Sequence, residues 1–253
     1  MPDAIFDDPR LAAIYDALDA DRSDLDHYVA MVEEFGARSV LDVGCGTGSL
    51  LSLLAPTGVS VIGVDPAAAS LDVARQKPGA DQVRWLHGDA SVLADHVANG
   101  SVDFAVMTGN VAQVFLTDDD WNATLTAVQQ VLRPGGVLVF ETRDPSRRAW
   151  DGWTKEHTFQ RVDVPGVGAV EDWVEVTDVS LPFVSFESPN HFVASGETIV
   201  STSTLRFRDR GELDASLAEA GFDVIEVRDA PDRPGKEFVY IARVGRTVWP
   251  RSP

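Results

Sequence analysis

Residues Val40-Leu41-Asp42-Val43-Gly44-Cys45-Gly46-Thr47-Gly48 decide the fold: a short apolar strand runs straight into a loop with glycine at every second position. Three missing Cβ atoms where a strand turns into a helix let a ligand lie against bare main chain. The pattern predicts a nucleoside-cofactor loop. The dinucleotide fingerprint G-x-G-x-x-G requires glycine at 49, where this chain has Ser49, its third glycine arriving one residue early at Gly48. A phosphate-gripping P-loop requires a lysine after its last glycine, and no lysine occurs between Met1 and Gln76. Asp42, just ahead of the glycines, would repel a pyrophosphate and attract a cationic amino or sulfonium group. The loop therefore suits a positively charged cofactor.

Further elements follow in order. Val61-Ile62-Gly63-Val64-Asp65 reads as a second strand ending in an acid, and Gly88-Asp89-Ala90 as a turn after a third. Val102-Asp103-Phe104-Ala105-Val106 reads as a fourth strand. Val131 to Val139, containing Arg133-Pro134-Gly135-Gly136, reads as a helix end, a turn and a fifth strand. With these five elements in register over residues 40–140, the chain resembles the class I S-adenosylmethionine-dependent methyltransferases. The resemblance implies S-adenosylmethionine as cofactor and a Rossmann-like, seven-stranded, mostly parallel sheet whose last two strands form a hairpin. It further implies cofactor contacts from Asp42, Gly44, Cys45, Gly46, Thr47 and Gly48, then from Asp65 and Pro66, Asp89 and Ala90, and Met107 and Thr108. Asp65 would accept from both ribose hydroxyls, its alternative role being a helix N-cap. Asp89 would accept from the adenine amino group, its alternative being a cap for the helix starting at Ser91.

The whole chain sets bounds on this reading. Its 253 residues suit one α/β domain with room for an insertion. The excess of 40 acidic over 21 basic residues, −19 in all, disfavours nucleic acid as a partner. Arg143, Arg147 and Arg148 could form a local basic patch, or a solvated loop. Cys45 is the single cysteine, which excludes an intramolecular disulfide and points to a reducing cytoplasm. No histidine lies near it in sequence to activate it, so it reads as a small side chain packed under the cofactor. Residues 1–8 lack the features of a signal peptide, and no apolar run approaches membrane-spanning length. No metal site is expected.

Helical spacing over Pro9–Leu18 and about Asp24–Phe35 predicts an N-terminal cap, residues 1–38, beside the cofactor cleft. Strands near 39–43, 60–64, 83–87, 103–107 and 136–142, with a helix from Asp118 to Leu132, form the cofactor-binding core, 39–145. Residues 157–208 break the rhythm: Val170–Val179, Phe183–Ser188 and Glu197–Phe207 alternate at a two-residue period and predict an inserted antiparallel β-sheet. A helix over Glu212–Ala220 and strands at 222–227 and 238–243 return to the core, 209–244. The stretch after the fourth strand lacks the Asn-Pro-Pro-aromatic motif associated with methylation of planar nitrogens, and Asn110 or Gln113 there would either touch the acceptor or cap a turn.

The expected activity is methyl transfer to nitrogen or oxygen of a small-molecule acceptor, with the insertion governing the acceptor and not the cofactor. Competing expectations are a non-catalytic cofactor-binding protein and methylation of RNA or protein. Candidates for a general base are Tyr15, His157 and His191. Trp150, Trp153, Trp173, Phe183, Phe186 and Phe192 would line an acceptor pocket or form the insertion's own core. A homodimer through an open edge of the inserted sheet is a further expectation.

Overall fold

The computed structural model describes residues 2–245. Short helices α1 (Ala4–Asp7) and α2 (Pro9–Leu18) precede α3 (Asp26–Glu34), after which strand and helix alternate. The alternating part is β1 (Ser39–Val43), α4 (Ser49–Leu54), β2 (Ser60–Asp65), α5 (Ala68–Ala74), β3 (Val83–His87), α6 (Leu93–His96), β4 (Val102–Met107), α7 (Asp118–Val131) and β5 (Leu132–Arg143). After α8 (Lys155–Thr158) come five strands, β6 (Gln160–Val164), β7 (Gly168–Asp172), β8 (Glu175–Ser180), β9 (Phe183–Phe192) and β10 (Glu197–Arg206). Helix α9 (Arg210–Glu219), β11 (Phe222–Asp229) and β12 (Glu237–Val244) complete the order.

The main sheet runs β11-β12-β5-β4-β1-β2-β3. Strands β1 to β5 are parallel, and β12 lies antiparallel to both β5 and β11. Its central strands β1, β4, β5 and β12 are largely buried, so alternate residues feed two apolar layers. Ala105, Met107, Leu138 and Phe140 meet Trp121, Leu125 and Val128 of α7 on one side. Phe104, Val106, Val137 and Val139 meet Tyr28 and Val32 of α3 and Leu51 of α4 on the other. The chain order reverses between β1 and β4, and open α/β sheets bind ligands beyond the strand ends at such a point.

Local signals account for the element ends. The Thr117 hydroxyl accepts from the Asp120 amide at 3.1 Å, and three aspartates occupy the first turn of α7. Negative charge at that end complements the helix dipole. Asp209 and Glu212 form a reciprocal capping box at the start of α9.

Several elements depart from the sequence reading. Helix α3 is part of the core layer, so the cap consists of α1 and α2 alone. The segment expected as one strand over 170–179 is split into β7 and β8 at Trp173-Val174, and β6 supplies a strand that the sequence reading left out. Strand β9 continues past Ser188 through Pro189. Pro189 stands opposite Val200 of β10, and on its other side it falls in the gap between the pairing with β8, which ends at Glu187, and that with β7, which starts at Asn190. The insertion is also tied to the cap. Leu11 and Ile14 of α2 are buried against Val164 and Val170, and the Ile5 amide donates to Ser201 Oγ at 2.9 Å.

Candidate functional site

A cavity of about 690 Å³ opens at the carboxyl ends of β1, β2 and β4. Its floor is the glycine loop, anchored by the amides of Gly44 and Cys45 donating to the Val64 carbonyl at 2.8 and 3.2 Å. Each glycine serves a different need. A Cβ at Gly46 (φ +52°) would meet nothing, so its face of the loop is open to a ligand. One at Gly44 would lie 2.7 Å from Val111, and one at Gly48 2.5 Å from the Trp85 ring. Gly48 does not line the cavity and serves packing, which corrects its expected ligand role. Cys45 is buried with Leu51, its thiol pushed well up by burial and then by Asp42, so it is a packed, unreactive group.

The carboxylates are arranged for a cation. Asp65 accepts from the Gly46 amide and the Ala67 amide, each at 2.7 Å, so it both ties the loop and orients the turn into α5. It also lines the cavity. Asp42 is almost fully buried and lines the cavity, and its Oδ1 has no hydrogen-bond partner. Burial first, and Asp65 second, push its carboxyl up to about 7. An unpartnered buried acceptor of this kind awaits a donor or a positive charge. Asp89 also lines the cavity while its side chain accepts from the Ser91 amide at 2.9 Å, a bond that lowers its pKa and makes the capping role real. In all, five aspartates (Asp3, Asp42, Asp65, Asp89, Asp120) and one arginine (Arg22) line the cavity. Thr47, Pro66, Ala90 and Thr108 line it as well; Met107 is fully buried in the core and does not.

The roof comes from the N-terminus. Phe6 and Tyr15 line the cavity with their rings 5.6 Å apart. Asp16 accepts from Thr47 Oγ1 at 2.6 Å and pairs with Lys77 Nζ at 2.6 Å, clasping α2 onto the loop. A lysine thus does reach the glycine loop, from beyond the stretch in which the sequence reading found none, and its charge is matched by Asp16. Burial, and next Asp19, raise the Tyr15 phenol, so it remains protonated and enters as a donor, not as the base expected of it.

The opposite wall is Thr202, Ser203 and Thr204 of β10. These three were missed in the sequence, although a run of hydroxyl residues in a strand is a poor core pattern and so a usable signal. The expected histidines lie elsewhere. His157 is exposed and 3.1 Å from Thr154 Oγ1; His191 meets Thr198 across the β9–β10 ladder at 2.9 Å. Neither lines the cavity. Trp150, Val184 and Phe207 form a separate buried cluster with Trp153, and Trp173 packs under Lys155, so these aromatics hold the insertion together. Asn110 and Gln113 likewise turn away. The Asn110 amide donates to Glu141, its side chain donates to Glu237 at 3.3 Å, and Gln113 accepts from Arg143 at 2.8 Å.

An acidic cavity at the switch point of a parallel sheet, floored by open glycine backbone, has the charge and shape that suit a cationic nucleoside. Residues 40–136 match the family model described as a methyltransferase domain. An uncharacterized methyltransferase of Mycobacterium tuberculosis H37Rv is 40% identical over 122 residues, 47% of this chain and 45% of that one. The cypemycin N-terminal methyltransferase of a Streptomyces species is 29% identical over 119 residues, 47% of each. The chain spans about half the length of these curated relatives. A structure of an amino pentose methyltransferase from Micromonospora echinaspora, with S-adenosylmethionine bound, is 25% identical with a TM-score of 0.70. The match covers 89% of this chain and 93% of that one. The chain thus shares its fold with a methyltransferase that holds S-adenosylmethionine, and residues 40–136 match the methyltransferase domain. The residues present fit that cofactor: Asp42 and Asp65 face the cavity with unused acceptor capacity, and Gly46 leaves the space a ligand would fill.

Proposed function

We propose that this protein transfers the methyl group of S-adenosylmethionine to a nitrogen or oxygen of a small polar acceptor by in-line displacement. The bound cofactor supplies an activated methyl group on a positively charged sulfur. The chain itself contributes placement. Asp65 would hold the ribose, the unpartnered Asp42 would face positive charge, and Gly46 would present bare main chain. Tyr15 would donate a hydrogen bond at the roof, and the proton lost by the acceptor would pass to solvent, since among the described residues no histidine lines the cavity.

The observation that carries this reading is the shared cavity: Asp42, Asp65 and Asp89 and the hydroxyl-bearing residues Thr202, Ser203 and Thr204 line one space. A wall of hydroxyls suits an acceptor rich in hydrogen-bonding groups. The printed names of relatives agree in kind, one acting on an amino pentose and one on an N-terminus. Among the described residues no helix is long and apolar enough to cross a membrane. The single buried Cys45 accords with a reducing cytoplasm.

The test is incubation with radiolabelled S-adenosylmethionine and pools of amines, hydroxylated metabolites and peptides. Label should enter the small polar pool. The paired change Thr202→Val and Thr204→Val should then lower transfer about tenfold, as for about 1.4 kcal/mol of lost hydrogen bonding to the acceptor, with cofactor affinity unchanged. Cofactor binding with no transfer to any pool would instead support a non-catalytic binding protein.

A further inference from the structure

A second cavity, about 710 Å³, opens at the end of β5, and its charge is opposite to that of the first. Arg143, Arg147, Arg148, Arg233 and Lys236 line it, against two carboxylates, Asp151 and Glu237. These five cations are drawn from a chain whose net charge is −19. Like charges so gathered repel one another, and holding them needs fixed partners. Glu237, deeply buried, takes Arg233 at 2.9 Å and Arg143 at 3.6 Å. The Arg143 guanidinium also rests over the Trp153 ring, 5.4 Å from its centroid. Arg148 grips Asp151 through two nitrogens, at 2.8 and 3.0 Å, from a left-handed backbone position (φ 48°) that a non-glycine residue seldom adopts.

The balance leaves donors unused at the rim. Asp144 reaches Arg147 only at 3.8 Å and Asp232 reaches Arg233 at 3.3 Å, while nearby Glu141 is engaged by Tyr28 and the Asn110 amide, and Asp229 by the Gly235 amide. Lys236 is exposed and forms no ion pair among the described residues. The guanidinium of Arg147 is exposed, lies 3.8 Å from Asp144 and makes no side-chain hydrogen bond among the described residues. Planar guanidinium forks and a mobile ammonium converging on one opening match the oxygens of a dianion better than those of a single carboxylate.

We propose that this basic cavity is a phosphate-binding site, taking either free phosphate or the phosphate of a larger ligand, and that Arg147 and Lys236 make its decisive contacts. The site is separate from the residues assigned to the cofactor, and it does not depend on the methyl-transfer reading. A nucleic-acid backbone is disfavoured, because the cations sit in a concavity on an otherwise acidic molecule.

The test is calorimetry on the whole chain with inorganic phosphate and with phenyl phosphate, at ionic strength matched by sodium chloride. Saturable phosphate binding is expected, weakened about tenfold or more by Arg147→Ala combined with Lys236→Ala, as for lost charge-assisted hydrogen bonds. Both side chains are exposed, so folding should survive, and Lys236→Gln alone gives a milder check that should weaken binding in the same direction. Tighter binding of phenyl phosphate would identify the phosphate as part of a larger ligand; equal binding would identify free phosphate. No saturable binding by the wild type, or unchanged binding by the double variant, would overturn the proposal. S-adenosylmethionine affinity, measured on the same samples, should not change. Its absence in the wild type would count against the proposed function and leave the phosphate result standing.

Discussion

At the floor of the acidic cavity the ligand-facing groups are main chain and buried carboxylates, fixed by a sheet whose central strands are inaccessible to water. Across the same space β10 presents hydroxyl side chains from a five-stranded sheet in which most residues of β6 and β8 are not buried. The floor has little freedom to vary, because Asp65 ties the loop through the Gly46 and Ala67 amides and Gly44 and Gly48 leave no room for a side chain. The facing wall can change side chains without disturbing a ladder. A constant cofactor and a changeable acceptor would call for this division.

The largest expected effect separates two glycines of one loop. Gly46→Val should abolish S-adenosylmethionine binding by calorimetry, since its side chain would project into the ligand's space. Its cost to stability should be only the left-handed strain of about 1–2 kcal/mol. Gly48→Val should reverse the emphasis. With the same strain and a collision with Trp85, it should lose roughly 2–5 kcal/mol in denaturant unfolding, adding overpacking to the backbone term. Equal behaviour of the two variants would break the distinction between ligand-facing and packing glycines.

A smaller effect is expected from Asp42. Its carboxyl stands near 7 in the folded protein against an ordinary value of 3.8. The folded state therefore holds this proton more tightly than the unfolded chain. The resulting stabilisation is present below about 4 and is lost as pH rises through about 7. Asp42→Asn should flatten this slope in thermal unfolding of the free protein. A cation in the cavity favours the ionised carboxylate, so wild-type cofactor affinity should strengthen as pH rises through 7, and the asparagine variant should lack that rise. A slope unchanged by the substitution would remove Asp42 as its source.

The smallest effect is on the inserted sheet. His157→Ala and His191→Ala should each leave transfer unchanged and stability within about 0.5 kcal/mol, as for surface substitutions. Loss of transfer in either would bring the acceptor to a face of the insertion other than β10.

What could be read in the sequence follows the same division. The strand, glycine loop and acids between Val40 and Ala90 are local patterns, with each residue's role set by near neighbours. The Thr47–Asp16 bond, the placement of Arg22 and the β10 hydroxyls join segments far apart in the chain, and no spacing rule announces them. Histidine was sought as a base because of its chemistry, yet strand pairing placed His191 opposite Thr198. Aromatic residues were ambiguous for the reason that large rings serve cores and pockets equally well. Asn110 and Gln113 had an even choice of roles until the buried Glu141, Glu237 and Arg143 were seen to engage them.

The cap of α1 and α2 is clasped to the glycine loop by Asp16 and rests on the inserted sheet through Leu11, Ile14 and the Ile5–Ser201 bond. One short piece of chain is thus common to both ligands' surroundings, which modifies the expectation that the insertion acts on the acceptor alone. Thermodynamic reciprocity then applies: if cofactor settles the cap and thereby improves acceptor affinity by some factor, acceptor must improve cofactor affinity by that same factor. Titrating each ligand in the presence and absence of the other would measure this coupling twice, and Leu11→Ala, which loosens the shared piece, should diminish both values together.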